Sequence, residues 1–269
     1  MKINNKTEIC ISIAQHPSNF GVTVHNTAYE KMGLNFIYKP FKITDLRGAI
    51  RAIRVLGIRG CSVTMPFKEK VIKYLDKLDV TASGVGAVNT IVNNKGKLIG
   101  YNTDVYGAFR VLQELRIPTS NRILVLGGGG VAKAISYALY KLNFHNVFMS
   151  NRTIRKVKTI AEKFGYEVLP WGRRNDLAAD MLINATSIGM VSQENMMPVS
   201  NSALRKYHMV MDVVVTPIHS RLINKAKMLR KKVIPGYKMS LYQAAAQFEL
   251  YSRKKAPLAI MQKAILSML

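Results

Sequence analysis

The chain has few acidic residues for its size. Of its 269 residues, 15 are Asp or Glu and 40 are Lys or Arg, which gives a formal net charge of +25. So large a positive charge attracts anions, including nucleic acid, phosphates and carboxylates, with a strong dependence on ionic strength. The basic residues do not gather in one tail or helix, since they are spread over residues 47–59, 152–163, 173–174, 225–232 and 253–255. This dispersal favours a solvated basic surface over a specific nucleic-acid site, and part of the charge is expected to help collect an anionic cofactor.

Cysteines and long apolar runs are also scarce. Cys10 and Cys61 fall in strand-like segments and form neither a disulfide framework nor a metal-ligand spacing, so both are predicted to be buried thiols. No apolar stretch approaches the roughly 20 residues of a membrane-spanning helix. The polar residues 1–6 lack the apolar region of a signal peptide. These absences predict a cytoplasmic protein without a membrane partner.

Hydrophobic periodicity predicts an α/β fold, which begins with alternating short strands and helices. The β-rich runs are residues 9–13, 36–38, 60–64 and 88–92, and the helical patterns cover residues 22–32, 44–56 and 68–78. Asp45 or Thr44 can cap the start of the second helix, and Gly57 marks its end. The first part of the chain is therefore predicted to form an α/β layer.

A second α/β series begins near Arg122. Its first strand, residues 123–126, is apolar throughout, as expected of a parallel strand buried on both faces, and it leads directly into four glycines and a helix. Glycine allows a tight turn and lets a pyrophosphate approach bare backbone. The partial positive charge of the helix N-terminus attracts the negative charge of that pyrophosphate. The remaining predicted elements are strands 180–184, 209–215 and 232–234 and two final helices, residues 240–252 and 257–269.

The end of the next strand, residues 147–150, predicts the cofactor. Asn151, Arg152 and Thr153 follow it about 25 residues after the first glycine, where the ribose of a dinucleotide is expected. An acidic residue there would favour NAD, whereas Arg152 and the basic residues after it favour the 2′-phosphate of NADP through charge-assisted hydrogen bonds. The pattern therefore predicts NADP.

Three short motifs in the first part of the chain carry residues suited to proton transfer. They are residues 63–68 (VTMPFK), 86–90 (GAVNT) and 102–104 (NTD). Taken singly, Lys68, Asn89 and Asp104 have ordinary interpretations as a surface lysine, a turn residue and a helix cap. Their order and spacing resemble the shikimate dehydrogenase family. The likeness continues through the glycine turn, residues 151–153, residues 184–187 and Gln243, so it covers nearly the whole chain.

This resemblance implies a two-domain enzyme that reduces the ring ketone of 3-dehydroshikimate reversibly with NADPH to give shikimate. The implied domains are a substrate-binding catalytic domain, residues 1–104, a Rossmann-type NADP-binding domain, residues 105–237, and C-terminal helices, residues 238–269, that return to the first domain and leave a cleft for the substrate. Lys68 and Asp104 match the family's proton-transfer pair. The implied substrate contacts are Ser18, Asn19, Thr64, Asn89, Asp104 and Gln243. The implied cofactor contacts are Gly127, Gly128, Gly129, Gly130, Val131, Ala132, Asn151, Arg152, Thr153, Thr186, Ser187, Val213, Gly236 and Met239.

The chain departs from the family pattern where the substrate carboxylate is held. Alignment through His25 places Asn19 and Gly21 where the family has two serines, and Val215 stands in place of a tyrosine. Ser62 replaces an asparagine, and Lys238 replaces a glycine. Each charge-assisted bond lost contributes roughly 1.5 to 3 kcal/mol. This pattern is most similar to the shikimate dehydrogenase-like subgroup.

Several alternatives stay open at this point. The hydride chemistry could serve quinate or another shikimate-like hydroxy acid, or the chain could be a weakly active NADP-binding paralogue. A basic nucleic-acid-binding module is a further class, which the scattered charge disfavours. Hydride transfer from a nicotinamide needs no metal, and the sequence gives no reason to invoke one. It does not decide between a monomer and a homodimer.

Overall fold

The computed structural model describes residues 3–268. They form two compact units, one made of the described residues up to Tyr106 together with Leu241–Met268, and one made of Gly107–Ser240. The strands are β1 (Glu8–Ala14), β2 (Phe36–Lys42), β3 (Gly60–Val63), β4 (Lys77–Leu78), β5 (Thr90–Asn94), β6 (Lys97–Tyr101), β7 (Ile123–Leu126), β8 (Val147–Ser150), β9 (Glu167–Val168), β10 (Met181–Asn184), β11 (Met209–Asp212) and β12 (Lys232–Ile234). The helices are α1 (Phe20–Lys31), α2 (Leu46–Val55), α3 (Val80–Val85), α4 (Thr103–Leu115), α5 (Gly130–Lys141), α6 (Ile154–Phe164), α7 (Asn201–Leu204), α8 (Arg221–Met228), α9 (Gly236–Ser252) and α10 (Leu258–Leu266).

The first unit is built on a mixed six-stranded sheet with the order β2-β1-β3-β5-β6-β4. Strand β1 pairs in parallel with β2 and β3, while β5 is antiparallel to both β3 and β6. The sheet's apolar side chains pack with the inward face of α2, where Ile50 and Ile53 are buried. Asp45 caps that helix by accepting a hydrogen bond from the Gly48 N–H. Of the two predicted candidates, Asp45 and Thr44, the cap is therefore Asp45. The part of α9 from Leu241 onward and the whole of α10 complete this unit, with α10 packed on α1.

The predicted helix over residues 68–78 is wrong. The segment contains turns, a single 3-10 turn at Ile72–Tyr74 and the short strand β4. Its apolar spacing fits a helix, but the Lys68 carbonyl accepts the N–H of Val88 at 2.8 Å, and the Asp76 N–H donates to the Leu98 carbonyl at 3.0 Å. Bonds to the segment before β5 and to β6 therefore take backbone groups that a helix would need.

The second unit contains a parallel six-stranded sheet with the order β12-β11-β10-β7-β8-β9. This is a doubly wound order, whose topological switch point lies between β7 and β10. Every residue of β7, β8, β10 and β11 is buried, which agrees with the apolar character of these runs. The predicted strand 209–215 ends earlier, at Asp212, because the carboxylate of Asp212 accepts the N–H of Val214 and turns the chain.

Three smaller expectations can be compared with the structure. Cys10 and Cys61 are buried free thiols, as predicted, and burial raises the pKa of Cys10 to about 12. The last helix ends at Leu266, and the predicted end at Leu269 lies outside the described residues. Within residues 3–268, no helix is long and apolar enough to span a membrane, and no three potential metal ligands come together.

Candidate active site

The structure brings Lys68 and Asp104 into direct contact. Lys68 lies in the turns after β3, where its carbonyl accepts the Val88 N–H, and Asp104 lies in the first turn of α4. The Lys68 Nζ is 2.5 Å from Asp104 Oδ2, and the two side chains are only 16% and 12% exposed. The bond is charge-assisted and largely shielded from water, which strengthens it relative to a surface ion pair. The contact fixes the position of the lysine ammonium, a group that carries protons it can donate.

The start of α4 is held in place by Asn102. Its Oδ1 accepts the N–H of Val105 at 3.3 Å, and its Nδ2 donates to the Ala87 carbonyl at 2.9 Å. Asn102 is buried, so these bonds satisfy a polar side chain that would otherwise be costly to bury. They fix the turn from which Asp104 reaches Lys68.

Asn89 presents a defined end of its amide to a ligand. Its Oδ1 accepts hydrogen bonds from Thr90 Oγ1 at 2.8 Å, from the Thr103 N–H at 2.7 Å and from Thr103 Oγ1 at 3.1 Å. With the oxygen saturated by three donors, the amide NH2 is the end that can donate to a ligand.

Two glutamines of α9 connect to the same residues. Gln243, one of the predicted substrate contacts, donates a hydrogen bond from its Nε2 to Thr103 Oγ1 at 3.3 Å. Gln247 was not predicted, and its Nε2 donates to Thr90 Oγ1 at 2.9 Å and to Ser62 Oγ at 3.2 Å. The available signal was spacing, because a residue four positions after Gln243 lies on the same face of the helix.

The other predicted substrate contacts occupy more open positions. Thr64 is half-buried after β3, and its N–H donates to the Ile13 carbonyl at 3.2 Å. Ser18 and Asn19 are exposed at the start of α1, where Asn19 occupies the N-cap position without a capping bond from its side chain. The Asn19 side chain is therefore not used to cap the helix.

Position 21 has no room for a side chain. A Cβ built on Gly21 would lie 2.6 Å from Cε1 and 2.9 Å from the hydroxyl oxygen of Tyr38. The Tyr38 ring stacks on His25 at 4.6 Å between centroids, and its backbone exchanges two hydrogen bonds with the Asn26 side chain. Tyr38 is therefore anchored on both its ring and its backbone, and it closes the space beside Gly21.

The glycine turn of the second unit has the shape of a phosphate cradle. Gly127 has φ +122°, and a Cβ there would lie 2.5 Å from the Ala185 carbonyl oxygen, so both conformation and space require glycine. Gly129 is the N-cap of α5, whose first turn contains Gly130, Val131 and Ala132. The unpaired N–H groups and partial positive charge at this helix start favour a phosphate.

A basic surface adjoins this turn. The Cβ of Lys156 lies 2.8 Å from where a Cβ of Gly128 would stand, so the start of α6 contacts the glycine turn. Asn151 bonds to the Thr153 carbonyl at 3.0 Å, and Arg152 between them is exposed. The first turn of α6 holds no acidic residue. These groups together form a positively charged surface at the carboxyl end of β8.

The remaining predicted cofactor contacts follow β10, β11 and β12. Thr186 and Ser187 follow β10, and Val213 follows β11. Gly236 begins α9 against Val213, whose carbonyl carbon would lie 2.6 Å from an added Cβ. Met239, one turn into that helix, is buried. Ligands of doubly wound sheets bind at the carboxyl ends of the strands.

Comparison with known proteins identifies the family. The model of the shikimate dehydrogenase substrate binding domain matches residues 19–91, and the model described as Shikimate / quinate 5-dehydrogenase matches residues 111–228. A shikimate dehydrogenase-like protein of Haemophilus influenzae is 36% identical over 255 residues, covering 94% of this chain and 93% of the relative. A shikimate dehydrogenase (NADP(+)) of Pyrococcus furiosus is 40% identical over 275 residues, covering 99% and 98%.

Solved structures agree with this result. The shikimate 5-dehydrogenase of Thermus thermophilus, in complex with NADP(H) and shikimate, has a TM-score of 0.88 and 29% sequence identity, covering 97% of this chain and 99% of that one. The predicted α/β class, with a substrate domain and a Rossmann-type domain, is confirmed. Because both domain models match and the relatives align along almost their full length, this chain belongs to the shikimate dehydrogenase family.

Proposed function

We propose that the protein is an NADP-dependent shikimate dehydrogenase, which interconverts 3-dehydroshikimate and shikimate. The observation that carries this proposal is the largely buried Lys68–Asp104 pair, with a 2.5 Å bond between Nζ and Oδ2. In the same unit, Asn89 has its Oδ1 occupied by three donors, which leaves its NH2 as the end suited to a ligand. Relatives named shikimate dehydrogenase (NADP(+)) support the oxidoreductase class and the cofactor that the sequence predicted.

The described residues fit NADP. Glycine at 127 and 128 leaves bare backbone at the end of β7, and the N-terminus of α5 follows directly. Arg152 is exposed beside this turn and would hold the 2′-phosphate through charge-assisted hydrogen bonds. Thr186 and Val213 would contact the nicotinamide end. When bound, the cofactor supplies or accepts the hydride.

Lys68 would move the proton that accompanies hydride transfer. In the reducing direction its ammonium donates a proton to the ketone oxygen, and in the oxidising direction the neutral amine takes the proton of the hydroxyl. Asp104 holds the Nζ in position and accepts a hydrogen bond from a ring hydroxyl. Asn89, Thr64 and Gln243 would hold the other hydroxyls, so that the ring stays at reacting distance.

A second candidate is the oxidation of quinate or another shikimate-like hydroxy acid. The closed space at Gly21 bears on the choice of acid, because a side chain at that position would collide with the Tyr38 ring and cannot supply a hydroxyl to the carboxylate. Asn19 and the exposed Ser18 are then the side chains left to hold the acid group at this end of α1. Fewer charge-assisted bonds to the carboxylate predict weak affinity for shikimate.

The wider organisation forms part of the proposal. Residues 1–104 would bind the substrate, residues 105–237 the cofactor, and residues 238–269 would complete the substrate domain through Gln243. We place the protein in the cytoplasm, where its two free thiols would stay reduced, and as a monomer or a homodimer.

The experiment follows NADPH formation with shikimate, quinate and related hydroxy acids, for the unmodified protein and for Lys68→Ala. We expect oxidation of at least one of these acids, and a loss of kcat by two or more orders of magnitude in Lys68→Ala. Lys70→Ala, which removes an exposed lysine two residues away, is the matched control and should keep the activity.

Two results would contradict the proposal. No oxidation of any acid by a protein that binds NADP would leave a cofactor-binding paralogue. Near-normal turnover in Lys68→Ala would remove the proton-transfer role from this lysine. A markedly higher kcat/KM for quinate than for shikimate would favour the second candidate.

A further inference from the structure

Asp212 is a buried carboxylate at the end of β11. It is fully buried, and its Oδ1 accepts hydrogen bonds from Asn184 Nδ2 at 3.0 Å and from the Val214 N–H at 3.1 Å. Its Oδ2 accepts a hydrogen bond from Ser220 Oγ at 2.5 Å. In the described chain no lysine, arginine or histidine pairs with it, so neutral donors alone hold the group. A buried carboxylate without a cation is costly, and it calls for an explanation.

Each donor belongs to a different segment at this edge of the sheet. Asn184 ends β10, and its Oδ1 accepts the hydroxyl of Thr186 at 2.6 Å and the Thr186 N–H at 3.2 Å. Its Nδ2 also donates to the Ile188 carbonyl at 3.0 Å. Ser220 caps α8, because its Oγ accepts the Ile223 N–H at 3.2 Å. Asp212 therefore shapes the loop after β10 and also fixes where α8 begins.

These segments contact two further parts of the same unit. The carbonyl oxygen of Ala185 would lie 2.5 Å from a Cβ of Gly127, so the loop after β10 rests on the glycine turn. The carbonyl groups of Val213 and Val214 lie against Gly236 at the start of α9. One carboxylate thus holds the loop after β10 and the turn after β11, and these in turn contact the glycine turn and the start of α9.

We infer that Asp212 is the positioning residue for the nicotinamide half of NADP. This inference rests on the proposed function and deepens it. The topological switch point separates two halves of the sheet edge, with Arg152 after β8 on one side and Thr186 and Val213 on the other. A dinucleotide that crosses the switch point places its adenosine 2′-phosphate near Arg152 and its nicotinamide beside the segments that Asp212 holds. Asp212 touches neither half, and it acts through Asn184 and Val214.

The test compares the binding of whole NADP with that of adenosine 2′,5′-bisphosphate, which represents the adenosine half alone. Asp212→Asn keeps the shape of the side chain and one acceptor but removes the charge that draws three donors together. We expect the Kd for NADP to rise at least tenfold and kcat to fall, while the Kd for adenosine 2′,5′-bisphosphate stays within twofold. Arg152→Ala should instead weaken the binding of adenosine 2′,5′-bisphosphate directly, because it removes the donor to the 2′-phosphate.

Two outcomes would overturn the inference. If Asp212→Asn keeps the NADP affinity and kcat of the unmodified protein, Asp212 has no positioning role. If both ligands weaken equally, the residue merely stabilises the unit as a whole. Ser220→Ala, which removes the donor to Oδ2 together with the side-chain cap of α8, is a second variant if Asp212→Asn does not fold. The Kd for NADP should then rise about threefold, with the Kd for adenosine 2′,5′-bisphosphate unchanged.

The same measurements keep this inference separate from the proposed function. NADP and adenosine 2′,5′-bisphosphate binding are measured without a hydroxy acid, so they do not depend on dehydrogenase activity. A protein that binds NADP, shows the expected split in Asp212→Asn and oxidises no acid would contradict the proposed function alone.

Discussion

At the scale of single residues, the sequence identified groups that the structure then brings together. Lys68 and Asp104 are 36 positions apart in the chain and form a direct bond. Their order within recognisable motifs predicted the pairing. Gln247 escaped prediction because a lone glutamine in a long helix gives no signal beyond its spacing from Gln243. The closure of position 21 also could not be predicted, since it depends on how the Tyr38 ring packs across from another element.

His25 makes the stability of the first unit depend on pH. Burial lowers the pKa of its imidazole to about 4, and a hydrogen bond with Gln247 opposes that shift. The rings around it belong to Tyr29, Tyr38 and Tyr251, whose pKa values burial raises, so they stay uncharged in acid. The folded state binds a proton less readily than the unfolded state. This stabilising contribution is fully present above pH 6.5 and is lost as the pH falls toward 4.

Replacement of His25 by Phe should reduce this acid sensitivity. The shift corresponds to about 3 kcal/mol of unfolding free energy between neutral pH and pH 4. The ring of Phe keeps the stack on Tyr38 but has no proton to gain. Urea unfolding at pH 7.5 and pH 4.5 measures the difference for both proteins. An equal loss of stability in the two proteins would show that His25 does not titrate as its burial requires.

At the scale of elements, strands were predictable where burial on both faces makes them uniformly apolar. The strands over residues 123–126 and 147–150 were predicted with the bounds that the structure has. The helix predicted over residues 68–78 failed because Val88 and Leu98 supply backbone partners from distant segments. Apolar spacing cannot reveal that competition. The strand predicted to reach Val215 was too long for a related reason, since a buried carboxylate turns the chain after Asp212.

The turn between β8 and α6 should decide the choice of cofactor. Arg152→Asp replaces a donor to the 2′-phosphate by a repelling charge, so we expect NADP affinity to fall more than tenfold and NAD affinity to hold or rise. Equilibrium binding of both dinucleotides gives the ratio. Lys255→Asp makes the same change in net charge at an exposed site of the first unit and is the control. An unchanged ratio in Arg152→Asp would disprove the role of this turn.

At the scale of the whole molecule, family membership rests on two domain models that match residues 19–91 and 111–228. The sequence predicted the fold class and the enzyme class because ordered motifs run through nearly the whole chain. Net charge was a poor guide, since a charge of +25 is compatible with many partners. The order of the second sheet follows from repeated strand–helix units, whereas the mixed first sheet has no such repeat, and its antiparallel pairs were not predicted.

The central claim is that this protein transfers a hydride from the alcohol carbon of shikimate to NADP while Lys68 takes the hydroxyl proton. The most direct measurement uses shikimate that carries deuterium on that carbon and follows the label into the cofactor by NMR. We predict deuterium at C4 of the nicotinamide for the unmodified protein and a loss of transfer by at least two orders of magnitude in Lys68→Ala. Reduced cofactor without deuterium, or equal transfer in Lys68→Ala, would contradict the account.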